Sequence, residues 1–454
     1  MTRSRYDLAV VGGGIAGLAI SEIFARSGRS VLLLEKNKKL CQEASADQHG
    51  WFHLGSLYSI FPQNDSLKTL ISGVEDLLAY YNKFPGMNIS IDDAGHLAFR
   101  NSEEAWFRDE PLKYIVAARN NTDFNISGCL TTRQNLRKIS LLLTWERSIK
   151  KFISRHQRFD KHDWNGNYTA SEWIPNAGLS DYSRDVISKP MISNITLDID
   201  THFAINGYDR PMRSAQIVTE LVMSLLGAGG AITTEKEIES ISSFDGCYRI
   251  QATDGALFDA DKVIFTSGKW LSRFMKKAGD VKVVASPLIV AYPELTDSHF
   301  VRLTPFIDKS INHLSHEVDG RKYSVIGGGH YANPEDAKAI INSQNQLNAM
   351  ANLVFPKLYD SKILENYVGY KTEFIPGKKE RNYQFLLREM DEGVFAAIPG
   401  KFSLAFSLAT HSFKHITGET PSPQINLESS GRAKQYVGLT RHARIIYDQL
   451  IKLG

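Results

Sequence analysis

The residues best equipped for chemistry form one short run, Val10-Val11-Gly12-Gly13-Gly14-Ile15-Ala16-Gly17, with Glu35 eighteen residues beyond Gly17 at the end of the apolar stretch Val31-Leu32-Leu33-Leu34. In such a pattern a buried strand from Tyr6 to Val11 runs into a tight turn at Gly12. Gly14 lets backbone N–H groups approach a pyrophosphate at a helix N-terminus opened by Ile15 and Ala16, and Gly17 permits close helix–strand packing. Glu35, at the tip of the second strand with Lys36 beside it, can accept both hydroxyls of an adenosine ribose and would repel a 2′-phosphate. The bland alternative is a glycine-rich turn that holds no nucleotide. Against it, the run follows a strand, opens a helix and ends on an acid at the expected distance, so it reads as a dinucleotide-binding βαβ unit.

The rest of the chain must position that unit. Its 454 residues, 43% hydrophobic and 23% charged, can bury a large core and imply two interleaved domains of an ordinary globular class. A net charge of +3 without an aromatic-interleaved basic run gives no case for nucleic acid. No stretch approaches the length of apolar sequence that spans a bilayer. The chain enters its first strand almost at once, which leaves no room for a signal peptide. Cys41, Cys129 and Cys247 stand apart, with no CxxC pair and no metal spacing, so no metal is expected and a reducing, cytoplasmic setting is the default.

A second informative stretch runs from Cys41 to Tyr58 and contains Ala44-Ser45-Ala46 and His53-Leu54-Gly55. It is small, polar and glycine-punctuated, a poor strand and a poor first half of a helix, as suits backbone wrapped around a ligand. At this point the chain resembles the D-amino-acid oxidase superfamily of FAD enzymes, which includes glycine and sarcosine oxidases, glycerol-3-phosphate dehydrogenase and the 2-hydroxyglutarate oxidoreductases. The resemblance implies that the Ser45 turn and the His-x-Gly at His53 run beneath the isoalloxazine. A hydrogen-bonded core histidine is the alternative for His53.

The resemblance resumes further on. Arg210-Pro211-Met212-Arg213 precedes a helix to Leu226 and then Glu235-Lys236-Glu237-Ile238, where the family's backbone near Ile238 borders the adenine. The run Val263-Ile264-Phe265-Thr266-Ser267-Gly268-Lys269-Trp270 is similar to the family's "strand, small-small-Gly, x, Trp" signature, which returns Ser267, Gly268 and Trp270 to the pyrophosphate. Phe395 to Ala409, with Gly400, Lys401, Phe402 and Ser403 at its turn, resembles the closing FAD element, whose helix N-terminus stabilises negative charge on the flavin. The family often has Gly-x-Arg where this chain has Gly369-Tyr370-Lys371, so Lys371 takes the place of an arginine that binds the substrate carboxylate. Lysine offers a flexible point charge instead of a fork, and a plain strand lysine is the alternative. No lysine stands at Val325-Ile326, near where several sarcosine-oxidase-like members carry one that promotes oxygen reduction.

The fold expected is α/β, a Rossmann-like FAD-binding domain interleaved with an antiparallel-sheet substrate domain and a helical insertion. The FAD domain is assigned to 1–80, 200–280 and 365–415, the insertion or cap to 80–200, the substrate sheet to 280–365, and a C-terminal tail and helix to 415–454. His313, His316, Tyr323, His330 and Tyr331 could face the substrate cavity from that sheet. Within the insertion, Leu141-Leu142-Leu143 followed by Arg147, Lys150, Lys151, Arg155 and Arg158 reads as a basic amphipathic helix. It could touch an anionic membrane or a partner, although a solvated face is the commoner explanation.

The function expected is FAD-dependent oxidation of a C–H bond next to an amine or hydroxyl of a small, anionic substrate. His53 and Lys371 would act on the substrate, and the FAD would be held non-covalently. An NAD(P)H-dependent flavin reductase or monooxygenase is the alternative within enzymes. A flavin-bearing binding protein without turnover is the alternative outside them.

Overall fold

The computed structural model describes residues 5–55, 57, 64–91, 97–117, 202–206, 209–275, 281–303, 310–375 and 384–453. The basic segment 141–158, the loops read at 165–167 and 175–178, Cys129 and Arg381 lie outside the described residues.

Arg5–Val11 is an inner strand of an eight-stranded sheet, paired in parallel with Val31–Leu34 on one side and Leu257–Phe265 on the other. Its alternation decides which face each residue serves. Leu8 and Val10, with Val31 and Leu33, pack under the helices Ile15–Arg26, Ser214–Gly227 and Ala405–Thr417. Ala9 and Val11, with Leu32 and Leu34, face the opposite way, toward Ile250, Phe265 and Ile398. A parallel strand covered on both faces must be apolar throughout, which is why Val31–Leu34 shows no polar position. Ala231–Thr233 extends the sheet beyond Val31–Leu34. On the other side lie the antiparallel meander Ile238–Phe244, Cys247–Ala252 and Leu257–Phe265, and the hairpin Leu386–Asp391 with Val394–Ile398.

The second sheet has seven strands in the order Ile363–Phe374, Val281–Tyr292, Arg321–Gly328, Ile311–Val318, Phe300–Leu303, Lys113–Ala117 and His202–Asn206. Helix Ala337–Val354 covers one face through Leu347, Ala351 and Val354. Helix Arg441–Leu453 covers part of the other through Ala443 and Ile446.

Three readings of the sequence are corrected here. Asn64–Tyr80 is a helix, but the described part of 80–200 is not helical. Ile89–Ile91 and Leu97–Phe99 form a hairpin, and Lys113–Ala117 pairs in parallel with Phe300–Leu303. Tyr114 and Ile115 are both fully buried, so this strand shows no alternation, and its β-branched and aromatic content was the better guide. Residues 363–374 were assigned mainly to the FAD layer, but they pair with Val281–Tyr292 over twelve positions and belong to the second sheet. Within the tail assigned to 415–454, helix Arg441–Leu453 packs on that sheet through Ala443 and Ile446, and Ala433 packs in the core of the first. Ala44–Asp47, read as irregular backbone, closes one helical turn.

Candidate active site

One continuous cavity runs between the two sheets, from Glu35 and Ile238 at one end to His53, Lys371 and Lys401 at the other. The glycine turn forms its wall. Gly12 has φ +113° and its N–H donates to Leu34 O at 2.8 Å. A Cβ on Gly17 would stand 1.9 Å from Gly12 O and 2.5 Å from Thr266 Oγ1, so only glycine lets the helix sit directly on the turn. The Thr266 hydroxyl donates to Gly12 O at 2.7 Å and ties the turn to the neighbouring strand.

Glu35 is buried. Its Oε2 accepts Gly13 N–H at 2.6 Å, and its Oε1 accepts the Asn37 N–H and side-chain amide, both at 2.8 Å. Burial pushes its carboxyl above the usual range, against those donors. The carboxylate thus fastens the glycine turn to the second strand, with lone pairs remaining for hydroxyl donors from the cavity. Ser45 Oγ accepts Ile15 N–H at 3.0 Å at the first turn of the helix, beside Gly14.

Gly268 and Trp270 lie in a 3₁₀ turn, Gly268–Arg273, on the same wall. Lys36 and Lys269 both reach Glu43, at 2.9 and 2.8 Å, and their ammonium groups flank the Trp270 ring at 4.5 and 5.3 Å. Burial would raise the Glu43 carboxyl, but the two lysines hold it below its ordinary value.

At the far end, Gly400 takes φ +66° in the turn between Val394–Ile398 and helix Ala405–Thr417. Lys401 and Phe402 line the cavity there, and Lys371 enters from Ile363–Phe374. Lys371 Nζ is 3.9 Å from Glu373 Oε1 and 4.2 Å above the Tyr331 ring. The His53 ring lies against Trp51, tilted by 35°, at 4.2 Å between ring centroids. Burial, followed by Lys401, drives its pKa down to about 4, so it is neutral at pH 7. His49 lies beside it, also driven down by burial.

The cavity collects Gly12, Gly14, Ile15, Ala16, Glu35, Lys36, Ser45, His53, Ile238, Ser267, Gly268, Trp270, Gly400, Lys401, Phe402 and Lys371. Gly17 and Ser403 stand behind this wall, Gly17 as a packing residue and Ser403 buried. The sheet residues were harder to sort. His313 is held by Ser298 O at 2.8 Å and Ser324 Oγ at 2.7 Å, and Tyr323 Oη shares a hydrogen bond with His442 Nδ1 at 2.7 Å. His316 meets His49 O at 2.9 Å. None of these three nor His330 or Tyr331 lines the cavity, although Tyr331 backs Lys371. His49, Trp51 and Tyr370 do line it, and Asp209 sits directly behind His53; all four went unread. Asp209 lies more than 150 residues from the backbone it holds, so no local pattern announces it.

The residues present suit a dinucleotide. The Gly12–Gly17 turn leaves no room for side chains on one side while exposing backbone on the other, the Glu35 carboxylate lines the cavity just beyond the second strand, and the Ser267 hydroxyl is buried on the wall without a protein partner. Among the described residues no group of three or more His, Cys, Asp or Glu could hold a metal, and no helix is long and apolar enough to cross a membrane.

Residues 7–179 match the model of the DAO family, described as FAD dependent oxidoreductase. No protein of curated function matches the chain in sequence. Among solved structures, L-proline dehydrogenase from P. horikoshii is similar at 12% identity and TM-score 0.61, over 93% of this chain and 96% of that one. The L-alpha-glycerophosphate oxidase from Mycoplasma pneumoniae, solved with FAD bound, is similar at 14% identity and TM-score 0.59, over 94% and 98%. Glycine oxidase from Geobacillus kaustophilus is similar at 16% identity and TM-score 0.54, over 93% and 96%. At these identities the likeness is one of fold, and it runs over nearly the whole chain. The chain thus matches the DAO family of FAD dependent oxidoreductases over residues 7–179 and shares its fold with these three enzymes over most of its length.

Proposed function

We propose that this oxidoreductase removes a hydride from a C–H bond next to an amine or hydroxyl of a small anionic substrate. The observation that carries the reading is the far end of the cavity, where Lys371 and Lys401 flank the neutral side chains of His49, Trp51 and His53. Two ammonium groups beside unprotonated imidazoles favour a carboxylate or phosphate and leave a base ready for a proton. Bound FAD supplies the two-electron acceptor for the hydride. Gly12, Gly14, Ile15, Ala16, Glu35, Lys36 and Ser45 would hold the cofactor's nucleotide end with Ile238, Ser267, Gly268 and Trp270. Gly400, Lys401, Phe402 and Ser403 would close the site at the other. Lys371 anchors the substrate's anion, and His53 takes the N–H or O–H proton as the hydride leaves, so that an amine becomes an imine or an alcohol a carbonyl.

The substrates in the names of the three fold relatives are proline, a glycerophosphate and glycine, all of which carry a carboxylate or phosphate. A reducing compartment is the inferred setting, supported by the unpaired Cys41 and Cys247.

Anaerobic mixing tests this. Bleaching of the flavin by an amino acid, hydroxy acid or glycerophosphate supports the proposal, and bleaching by NADPH alone points to a reductase. Lys371→Ala should raise the half-saturating concentration of the anionic substrate about tenfold or more, since a charged hydrogen bond is worth about 1.5–3 kcal/mol. Lys371→Arg should recover part of the loss while dithionite reduction stays unchanged. An unaltered saturation curve in the alanine variant would reduce Lys371 to a strand lysine.

A further inference from the structure

Asp209 is fully buried behind the wall formed by Trp51 and His53. Its Oδ1 accepts the N–H groups of Leu54 and Gly55 at 2.8 and 3.1 Å. Its Oδ2 accepts Tyr114 Oη–H at 2.7 Å and Trp51 Nε1–H at 3.1 Å. His53 Nδ1 also lies 3.6 Å from Oδ2, longer than a full hydrogen bond but on the same oxygen.

Each of the four shorter contacts brings a hydrogen to the carboxylate, so Asp209 is ionised. Burial would raise its carboxyl, yet the donors, His53 first, hold it below the ordinary range. A ring nitrogen facing that oxygen with a lone pair would be repelled. A ring nitrogen carrying hydrogen is attracted and closes to bonding distance with a small rotation.

We propose that Asp209 is a positioning residue that locks His53 in its Nδ1–H tautomer and turns the Nε2 lone pair toward the cavity. The ring nitrogens lie on opposite sides of the imidazole, and the ring itself lines the cavity. The assignment rests on the proposed role of His53 as proton acceptor, and it adds the reason that His53 can accept at Nε2 without first losing a proton there. Among the described residues, Lys401, Asp209 and Lys371 act on His53, with His49 beside it. The two lysines disfavour imidazolium and Asp209 favours it, so the carboxylate both orients the neutral ring and steadies the charge it gains when a proton arrives.

The test is nitrogen-15 spectroscopy of histidine-labelled holoenzyme at pH 7, with the His53 signal identified by its loss in His53→Gln. The expected result is a neutral ring protonated at Nδ1. A ring protonated at Nε2 in the wild type overturns the proposal without any Asp209 variant, so a folding failure cannot protect it. In Asp209→Asn, the amide offers a hydrogen to Nδ1, and the signal should change to the Nε2–H form. With the base blocked, kcat should fall roughly a hundredfold at little-changed KM, the usual scale of general base catalysis. A folded Asp209→Asn enzyme whose tautomer is unchanged also overturns the proposal. A changed tautomer with unchanged kcat would keep Asp209 as the positioning group and instead sink the proton-accepting role given to His53.

Discussion

Gly14 and Gly17 look alike as members of one fingerprint, and the structure predicts that they fail differently. A methyl group on Gly17 would lie 1.9 Å from Gly12 O and 2.5 Å from Thr266 Oγ1, the first a backbone atom of the central strand's turn. Either the helix Ile15–Arg26 or the turn has to move. Overpacking of this kind costs typically about 1–3 kcal/mol, and a backbone contact this short belongs at the upper end. Alanine recovers about 1 kcal/mol of helix propensity over glycine, so the clash wins by about 2 kcal/mol.

Gly14 has φ −69° and ψ 177°, which any residue adopts, and its nearest neighbour would be Ser45 Oγ at 3.4 Å. Gly14→Ala should therefore leave the apoprotein's melting temperature almost unchanged while weakening FAD, because Gly14 lines the cavity wall proposed to hold the pyrophosphate. Gly17→Ala should lower the apoprotein's melting temperature by roughly 4–8 °C, taking roughly 2–4 °C per kcal/mol for a domain of about 200 residues. Thermal melts of apoprotein and FAD titration followed by flavin fluorescence separate the two. Equal melting temperatures for the variants, or a Gly17→Ala protein as stable as the wild type, would refute the packing argument.

Other outcomes follow from the same site. Glu35→Gln exchanges a carboxylate bonded to Gly13 and Asn37 for an amide that can accept on one atom only, so FAD affinity should drop about tenfold or more in equilibrium titration, and an unchanged affinity would remove Glu35 from the cofactor site. His442 and His313 are held by burial at about 3, below the value near 6.5 of an unfolded histidine. Between those values the unfolded chain binds more protons, so stability is lost as pH falls below about 6.5 toward 3. Denaturant melts at pH 7 and 5 should show that slope, and His442→Gln should flatten it; an identical slope in the variant would count against this account. Acid precipitation of the holoprotein should leave a colourless pellet and a yellow supernatant, since the flavin is expected to be non-covalent, and a yellow pellet would contradict it.

The sequence by itself determined the glycine-rich βαβ unit and the order of the segments that line the cavity. Those features are local. A strand, a turn that tolerates only glycine and the first turn of a helix are neighbours along the chain, and their spacing is dictated by backbone geometry. Lys371 and His53 could be named from motif positions alone, but that they share one end of one cavity is a tertiary fact. His313, His316 and Tyr323 show why the rest was illegible: each is polar and on a strand, yet the sheet is covered by helices on both faces, so polarity no longer marks an outward side chain. Asp209 is the clearest case. Its donors come from Trp51, Leu54, Gly55 and Tyr114, separated from it by 95 to 158 residues, and only the packing of Arg210–Pro211 against Trp51–Phe52 brings its carboxylate beneath the imidazole.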